Sequence, residues 1–274
     1  MRRTSRWYDR RVLRIVALLV VCSGCDLVFG LHRDADADAG GDDDDAAVDT
    51  QVQSDAPSHD EDADGLVDLV DPCPADAGDA GDMDGDSVGN LCDPSEQSVE
   101  HLVFFDPFVT DTGSWVNVAG IWGYGVDTLA GGGGLGAGLA EIQHDIDPTD
   151  HATFEATFES TRPLTSLTGV RITFEGGKVF SCLVYVDVGG AQMVNLYEDA
   201  TLKQMATFVG TSAMHLSLTH LAADNSIRCR ARIDGQPATL VDYPAALSAR
   251  GDKISIVAKD SEIDVWSAVV FATQ

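Results

Sequence analysis

Positive charge is what this chain has least of. Its 274 residues hold 17 Lys and Arg against 45 Asp and Glu, a formal net charge of -28. A balance of that sign argues against nucleic acid and anionic lipid headgroups as partners, because both are polyanions that recruit Lys and Arg. Long apolar runs are missing too. Residues 15–21 form a short one, and a helix needs about 20 apolar residues to cross a bilayer. No convincing amphipathic helix interrupts the pattern. The seven histidines, among them His101, His144, His151, His215 and His220, show no metal-ligand spacing, and isolated histidines on strand ends are expected to be solvated. There is no serine elbow and no Cys-His pairing. The glycine series from Gly131 to Gly134, continuing to Gly136 and Gly138, is followed by neither a helix start nor a lysine. It therefore reads as a mobile loop, not as a phosphate cradle.

The charge that is present is unevenly placed. Residues 1–25 carry +5, residues 26–100 carry -23 and residues 101–274 carry -10. Arg2, Arg3, Arg6, Arg10, Arg11 and Arg14 precede the apolar run, and small residues follow at Ser23 and Gly24. This is the layout of a secretory signal, residues 1–24. The segment Val21-Cys22-Ser23-Gly24-Cys25 resembles the bacterial lipobox. The resemblance implies that Cys25 is acylated and becomes the mature N-terminus, which anchors the protein to a membrane of the cell envelope. The outer membrane or cell surface is the favoured location, with inner-membrane retention the alternative raised by Asp26. Residues 25–58 are mostly Asp, Ala, Gly and Ser, including the run Asp42 to Asp45. They have almost nothing to bury, so the expectation is a disordered, self-repelling tether.

Residues 60–93 are the most informative stretch. Asp60-Glu61-Asp62-Ala63-Asp64-Gly65-Leu66-Val67-Asp68-Leu69-Val70-Asp71 places carboxylates at loop positions one, three, five, nine and twelve. The Leu66 carbonyl falls at position seven and Gly65 at the sharp turn. A hard dication such as calcium takes several oxygen ligands from a loop with this alternation. A second set has the same phase: Asp82, Asp84, Asp86, the Val88 carbonyl, Asn90 and Asp93. It has Ser87 where the turn glycine is expected and Asn90 in place of a carboxylate, so weaker binding is expected there. With Pro72-Cys73-Pro74 and Asn90-Leu91-Cys92-Asp93, the segment resembles the thrombospondin type 3 repeat over residues 60–94. The resemblance implies a compact, calcium-wrapped stalk, residues 59–95, with Cys73 bonded to Cys92. Its spacer before Asp82 is about a residue shorter than the family form. The cysteines left after Cys22 and Cys25 are an even number, as suits an exported chain. That leaves Cys182 and Cys229 either as a core disulfide or as buried thiols.

From residue 99 the composition turns to apolar, β-branched and aromatic runs with Gly or Asp punctuation, long enough for one sizeable core. Candidate strands are 102–105, 115–118, 120–126, 139–146, 152–159, 169–174, 178–187, 191–198, 203–209, 214–219, 226–233, 238–243, 253–258 and 263–271. Alternation is clearest in 152–159, 170–174 and 227–233, which gives each of these one wet face. Tight turns at Glu175-Gly176-Gly177, Gly189-Gly190 and Asp234-Gly235 join neighbours as hairpins. Many antiparallel strands without a βαβ rhythm argue for a mainly β fold of two packed sheets, residues 99–274. The order also resembles the concanavalin A-like (laminin G-like) jelly roll. An opening Phe105-Asp106-Pro107-Phe108 leads to Gly113-Ser114-Trp115 and Ile121-Trp122, and a closing strand around residues 262–270 returns beside the first.

Members of that superfold bind glycans or proteins, and some hydrolyse polysaccharides. Trp115, Trp122 and Tyr124 are the candidate ligand-contacting aromatics, since their faces offer apolar area to a sugar; the alternative for these, and for Trp266, is core packing. Glu262-Ile263-Asp264 is similar to a glycoside-hydrolase E-x-D-x-E strand, but Trp266 replaces the third carboxylate. The sequence therefore reads as a non-enzymatic adhesion module, with a glycoside hydrolase or a purely structural surface protein as alternatives. Mass spectrometry of the native protein is expected to find a mature chain that begins at an acylated Cys25. A free Cys25 behind any other N-terminus overturns that expectation.

Overall fold

The computed structural model describes residues 59–273, apart from 69, 78–80, 94–98, 134–137, 151, 162–164, 222–223 and 234–235. The leader, Cys25, the acidic tether and the Asp234-Gly235 turn lie outside the described residues. Within them the chain forms fifteen strands in two antiparallel sheets. The strands are β1 (Glu100–Asp106), β2 (Val116–Ala119), β3 (Ile121–Tyr124), β4 (Leu129–Gly133), β5 (Leu139–Thr149), β6 (Ala152–Thr161), β7 (Leu167–Phe174) and β8 (Lys178–Val186). They continue as β9 (Gln192–Glu198), β10 (Thr201–Phe208), β11 (Ala213–Leu221), β12 (Ser226–Arg232), β13 (Thr239–Pro244), β14 (Gly251–Lys259) and β15 (Ser261–Thr273). One sheet runs β13-β12-β11-β6-β15-β4-β3 and the other β10-β9-β8-β7-β14-β5-β2. This is the expected jelly-roll sandwich, and the closing strand does return to the opening one: Glu100 to Asp106 pair with Thr273 to Ala268.

The core lies between the sheets, where strand alternation sends one set of side chains inward. Phe154, Phe158, Met214, Leu216, Leu218 and Ile227 of the first sheet meet Ile172, Phe174, Phe180 and Leu196 of the second, all fully buried. Each such side chain contributes about 2 kcal/mol by leaving water. Cys182 on β8 and Cys229 on β12 are bonded across this core, with Cα atoms 5.2 Å apart. The bond is therefore a tie between the two sheets.

The structure corrects the sequence expectations in four places. Gly131 to Gly133 are not a mobile loop but most of β4, which pairs with β15 and β3. Glycine is required there because the Trp122 ring lies on Gly131, where a Cβ would sit 2.0 Å from Cε3, and because Gly132 has φ +150° with a Cβ position 2.4 Å from the Ser261 carbonyl. Trp266 is the extra residue of a β-bulge, since Val265 pairs with Phe158 and Ser267 with Thr157. The bulge shifts the inward phase from Ile263 and Val265 to Ala268 and Val270, and turns Val269 and Phe271 to the opposite face. The face of β6 expected to be wet, Thr153, Glu155 and Thr157, is buried, as are His215 and His220.

The fourth correction concerns the acidic repeat, which is not a separate stalk. It sits on the outer face of the first sheet. Cys73, Val88 and Cys92 pack with Val269 and Phe271, joined at the edge by Leu102 and Phe105 of β1. Cys73 and Cys92 are bonded, as the repeat pattern implies. Denaturing alkylation of the protein without reductant is expected to label none of Cys73, Cys92, Cys182 or Cys229. Labelling of the last two alone would show that the sheets are held by packing without the covalent tie.

Candidate functional site

The two acidic loops share one backbone design. In the first, Asp60 Oδ2 accepts the Gly65 N–H at 3.0 Å, Asp62 Oδ1 accepts Asp64 N–H at 3.0 Å and Asp64 Oδ1 accepts Leu66 N–H at 2.8 Å. In the second, Asp82 Oδ2 accepts Ser87 N–H at 2.9 Å, Asp82 Oδ1 accepts Gly85 N–H at 2.6 Å, and Asp86 Oδ1 accepts Val88 N–H at 2.8 Å. These amides hold the Asp82 carboxyl below the usual range, Ser87 most of all. Each loop needs two left-handed residues, at its fourth and sixth positions, and has one glycine to offer. Ala63 (φ 61°) and Gly65 (φ 99°) fill them in the first loop, Gly85 (φ 83°) and Ser87 (φ 73°) in the second. The missing turn glycine of the second loop is thus matched by a missing one in the first.

The structure gathers Asp60, Asp62 and Asp64 into one cluster and Asp82, Asp84 and Asp86 into another, each offering oxygens within 4.8 Å of one another. The amides engage only part of each set. Asp60 Oδ1, Asp62 Oδ2 and both carboxylate oxygens of Asp84 are sealed from solvent with no hydrogen-bond donor among the described residues. Burial, with Asp71, Asp64 and Asp60 close by, pushes the Asp62 carboxyl up to about 6. Sealed, donorless carboxylate oxygens facing like charges are what a divalent cation satisfies. The donor set therefore fits calcium.

The remaining expected ligands have partners of their own. Asp68 bonds to His59 Nδ1 at 2.7 Å and accepts the Glu61 N–H at 2.9 Å. Asp71 accepts the Cys73 N–H at 2.7 Å, and Asn90 Oδ1 accepts the Met83 N–H at 2.8 Å. Glu61 went unnoticed in the sequence reading because it occupies a non-ligand position of the loop. It is half-buried, and that burial together with Asp68, Asp127 and Asp62 pushes its carboxyl up to about 8. Asp127 belongs to the loop between β3 and β4, so the first acidic loop also lies against the sandwich.

A third cluster, Asp76, Glu155 and His215, joins the repeat to β6 and β11. Arg232 on β12 is ion-paired to Asp76 and lies 3.7 Å from Glu155, while His215 Nδ1 is 3.5 Å from Glu155. Burial, then Glu155, raises the Asp76 carboxyl to about 6. Burial is the largest influence on Glu155 and His215 as well and opposes charge on both. Their contact and mutual attraction, with the cationic Arg232 adding for Glu155 and the anionic Asp76 for His215, together outweigh it, lowering the first and raising the second. Two bases thus face two acids, and the guanidinium supplies the charge a metal would bring. The cluster is an ion-pair lock.

On the sandwich, β3, β4, β6 and β15 border an open groove of about 810 Å³ that carries Glu159, Glu262 and Asp264. Trp122 and Tyr124, in register with Gly131 and Leu129, turn to the other side of the sheet and pack against the core, which corrects their expected role as ligand-contacting aromatics. Asp264 and Glu159 are directly paired across β15 and β6, an arrangement of like charges that costs stability on a bare sheet. Ile121 at its lip is 82 % exposed. Trp115 is not part of this surface: it is buried in the core and donates from Nε1 to Asp106 Oδ2 at 2.9 Å. Glu262 and Asp264 share the groove with Glu159, a residue that sequence spacing could not connect to them. Replacing the strained residues by glycine, Ser87→Gly and Ala63→Gly, is expected to stabilise each loop by about 1 kcal/mol, the cost of a left-handed conformation for an L-residue. Thermal unfolding in excess calcium checks this, and a lowered melting temperature in both variants contradicts it.

No family model matches the chain, and no curated protein matches it in sequence. Solved structures do match in fold. The CBM2 module of the evolved Dit of Lactobacillus casei BL23 phage J-1 superposes with a TM-score of 0.53 at 9 % identity, covering 63 % of this chain and 96 % of that one. Winged bean acidic lectin, solved with methyl-α-D-galactose, has a TM-score of 0.49 at 6 % identity over 64 % and 98 % of the two chains. The legume lectin-like domain of Entamoeba histolytica has a TM-score of 0.46 at 8 % identity over 59 % and 91 %. The described strands form a lectin-like jelly-roll sandwich.

Proposed function

We propose that this protein is a calcium-binding adhesion module of the cell envelope. It is anchored through an acylated Cys25, spaced from the membrane by residues 25–58, and stiffened by a thrombospondin type 3-like repeat over residues 59–95. Its sandwich, residues 99–274, presents a glycan- or protein-binding surface. The observation that carries the reading is the pair of carboxylate clusters whose sealed oxygens have no donor. Calcium supplies the positive charge these loops lack, and Asp60, Asp62, Asp64, Asp82, Asp84 and Asp86 are the side chains that hold it. Because the repeat has few apolar side chains of its own, metal binding becomes part of its folding free energy.

The groove that carries Glu159, Glu262 and Asp264 is the ligand surface in this reading. Exposed carboxylates suit a sugar, whose hydroxyls donate to them, and the exposed Ile121 at the lip offers apolar area. The likeness to lectins is a likeness of fold and adds no ligand of its own. The carboxylates Glu159, Glu262 and Asp264 favour a second reading, cleavage of a polysaccharide.

Calorimetric titration of the mature chain is expected to find calcium binding, with protection of residues 59–94 from protease that chelator removes. No heat at millimolar calcium and equal proteolysis in chelator overturn the calcium reading. A glycan array with the same protein is expected to give hits that Asp264→Asn loses. Release of reducing ends from a bound polysaccharide, abolished in Glu262→Gln, would make the protein a hydrolase instead.

A further inference from the structure

Glu100, the first residue of β1, is buried beneath the second acidic loop. It is 3 % exposed. Its backbone N–H donates to Asp86 Oδ2 at 2.7 Å, which fixes the residue against the cluster of Asp82, Asp84 and Asp86. Its Oε2 is sealed from solvent with no hydrogen-bond partner among the described residues. The charges around it are those of Asp93, Asp86 and Asp84. A buried carboxylate oxygen without a donor is costly anywhere, and more so among three others of its own sign. Yet nothing in β1 pairing requires an acid at this position. Val88 and Cys92 of the loop pack with Val269 and Phe271, and Leu102 and Phe105 of β1 pack against the same cluster. The strand's start is thus held under the loop by packing that does not involve Glu100.

We propose that Glu100 is a calcium ligand of the second loop, contributed by the sandwich and not by the repeat. The cation then bridges the repeat and the sandwich, and its binding strengthens both the loop and the seat of the loop on β1. The proposal rests on the calcium reading of the repeat and goes one residue beyond it. The affinity of an oxygen site follows the number and charge of its ligands. A sandwich residue in the ligand set therefore also explains how a loop with Asn90 in place of a carboxylate completes its coordination.

Two properties separate a ligand from a merely buried acid. Glu100→Gln keeps the size and hydrogen-bonding reach of the side chain and removes its charge. If Glu100 is only a repelled acid, the substitution stabilises the calcium-free protein and leaves calcium affinity unchanged. If it is a ligand, calorimetry of the mature chain shows one site weakened about tenfold or more, while the site abolished by Asp60→Asn is unaffected. Amide exchange gives a second readout: calcium slows exchange over residues 100–106 in the unmodified protein and does not in Glu100→Gln. Should Glu100→Gln unfold, Glu100→Asp keeps the charge, withdraws the oxygens by one methylene and is expected to weaken the same site. Calcium binding in the unmodified protein with unchanged affinities in these variants overturns the role of Glu100 and leaves the repeat's reading standing. No binding in the unmodified protein overturns both.

Discussion

Mutual repulsion among the carboxylates of the acidic repeat governs how the rest of the structure is arranged. The loops turn one oxygen of a carboxylate toward a backbone amide and leave another without a donor. Such a segment has too little apolar surface to order itself against its conformational entropy. Three external supports offset the repulsion: the Cys73–Cys92 bond, an apolar seat on Val269 and Phe271, and the ion-pair lock of Asp76 with Arg232 and His215. Two of the three come from the sandwich. The repeat is therefore a dependent part of the fold, not a free spacer.

That seat exists because β15 changes phase. Without the bulge at Trp266, a strict period of two would carry the inward set from Val265 to Ser267 and Val269, burying a serine in the core and turning Ala268 and Val270 outward. With it, the same strand lines the main core on one side and supplies Val269 and Phe271 to the repeat on the other. The inter-sheet disulfide lies between β8 and β12, and β12 also supplies Arg232 to the ion pair that holds Asp76 of the repeat.

Glycine lets the edge of the first sheet close over the core. Trp122 rests on β4 only because Gly131 has no Cβ, and its ring lies on the core side of the sheet, opposite the face that carries Glu159 and Asp264. Glu159 and Asp264 come together on the outer face by strand pairing across more than a hundred residues of chain. Acidic hydroxyl acceptors gathered on one exposed surface are a recognition chemistry that the core does not use.

Local chemistry made much of this legible beforehand. Alternation and turn residues located fourteen of the fifteen strands, because half-buried strands and tight turns leave short-range marks. The acidic loops were legible for the same reason, since their ligands lie within a dozen residues and their spacing is set by one backbone conformation. β4 escaped because glycines carry no hydrophobic signal, and their place in a strand is decided by a tryptophan from another one. Glu100, Arg232 and Glu159 escaped because an isolated charged residue in a strand looks solvated until the chain laid over it is known. By itself the sequence determined which residues form strands, which cysteines were available and which carboxylates share a loop. Only the tertiary structure decided which faces are dry and which acids meet across the fold, because burial and charge proximity depend on distances between segments that the order of residues does not contain.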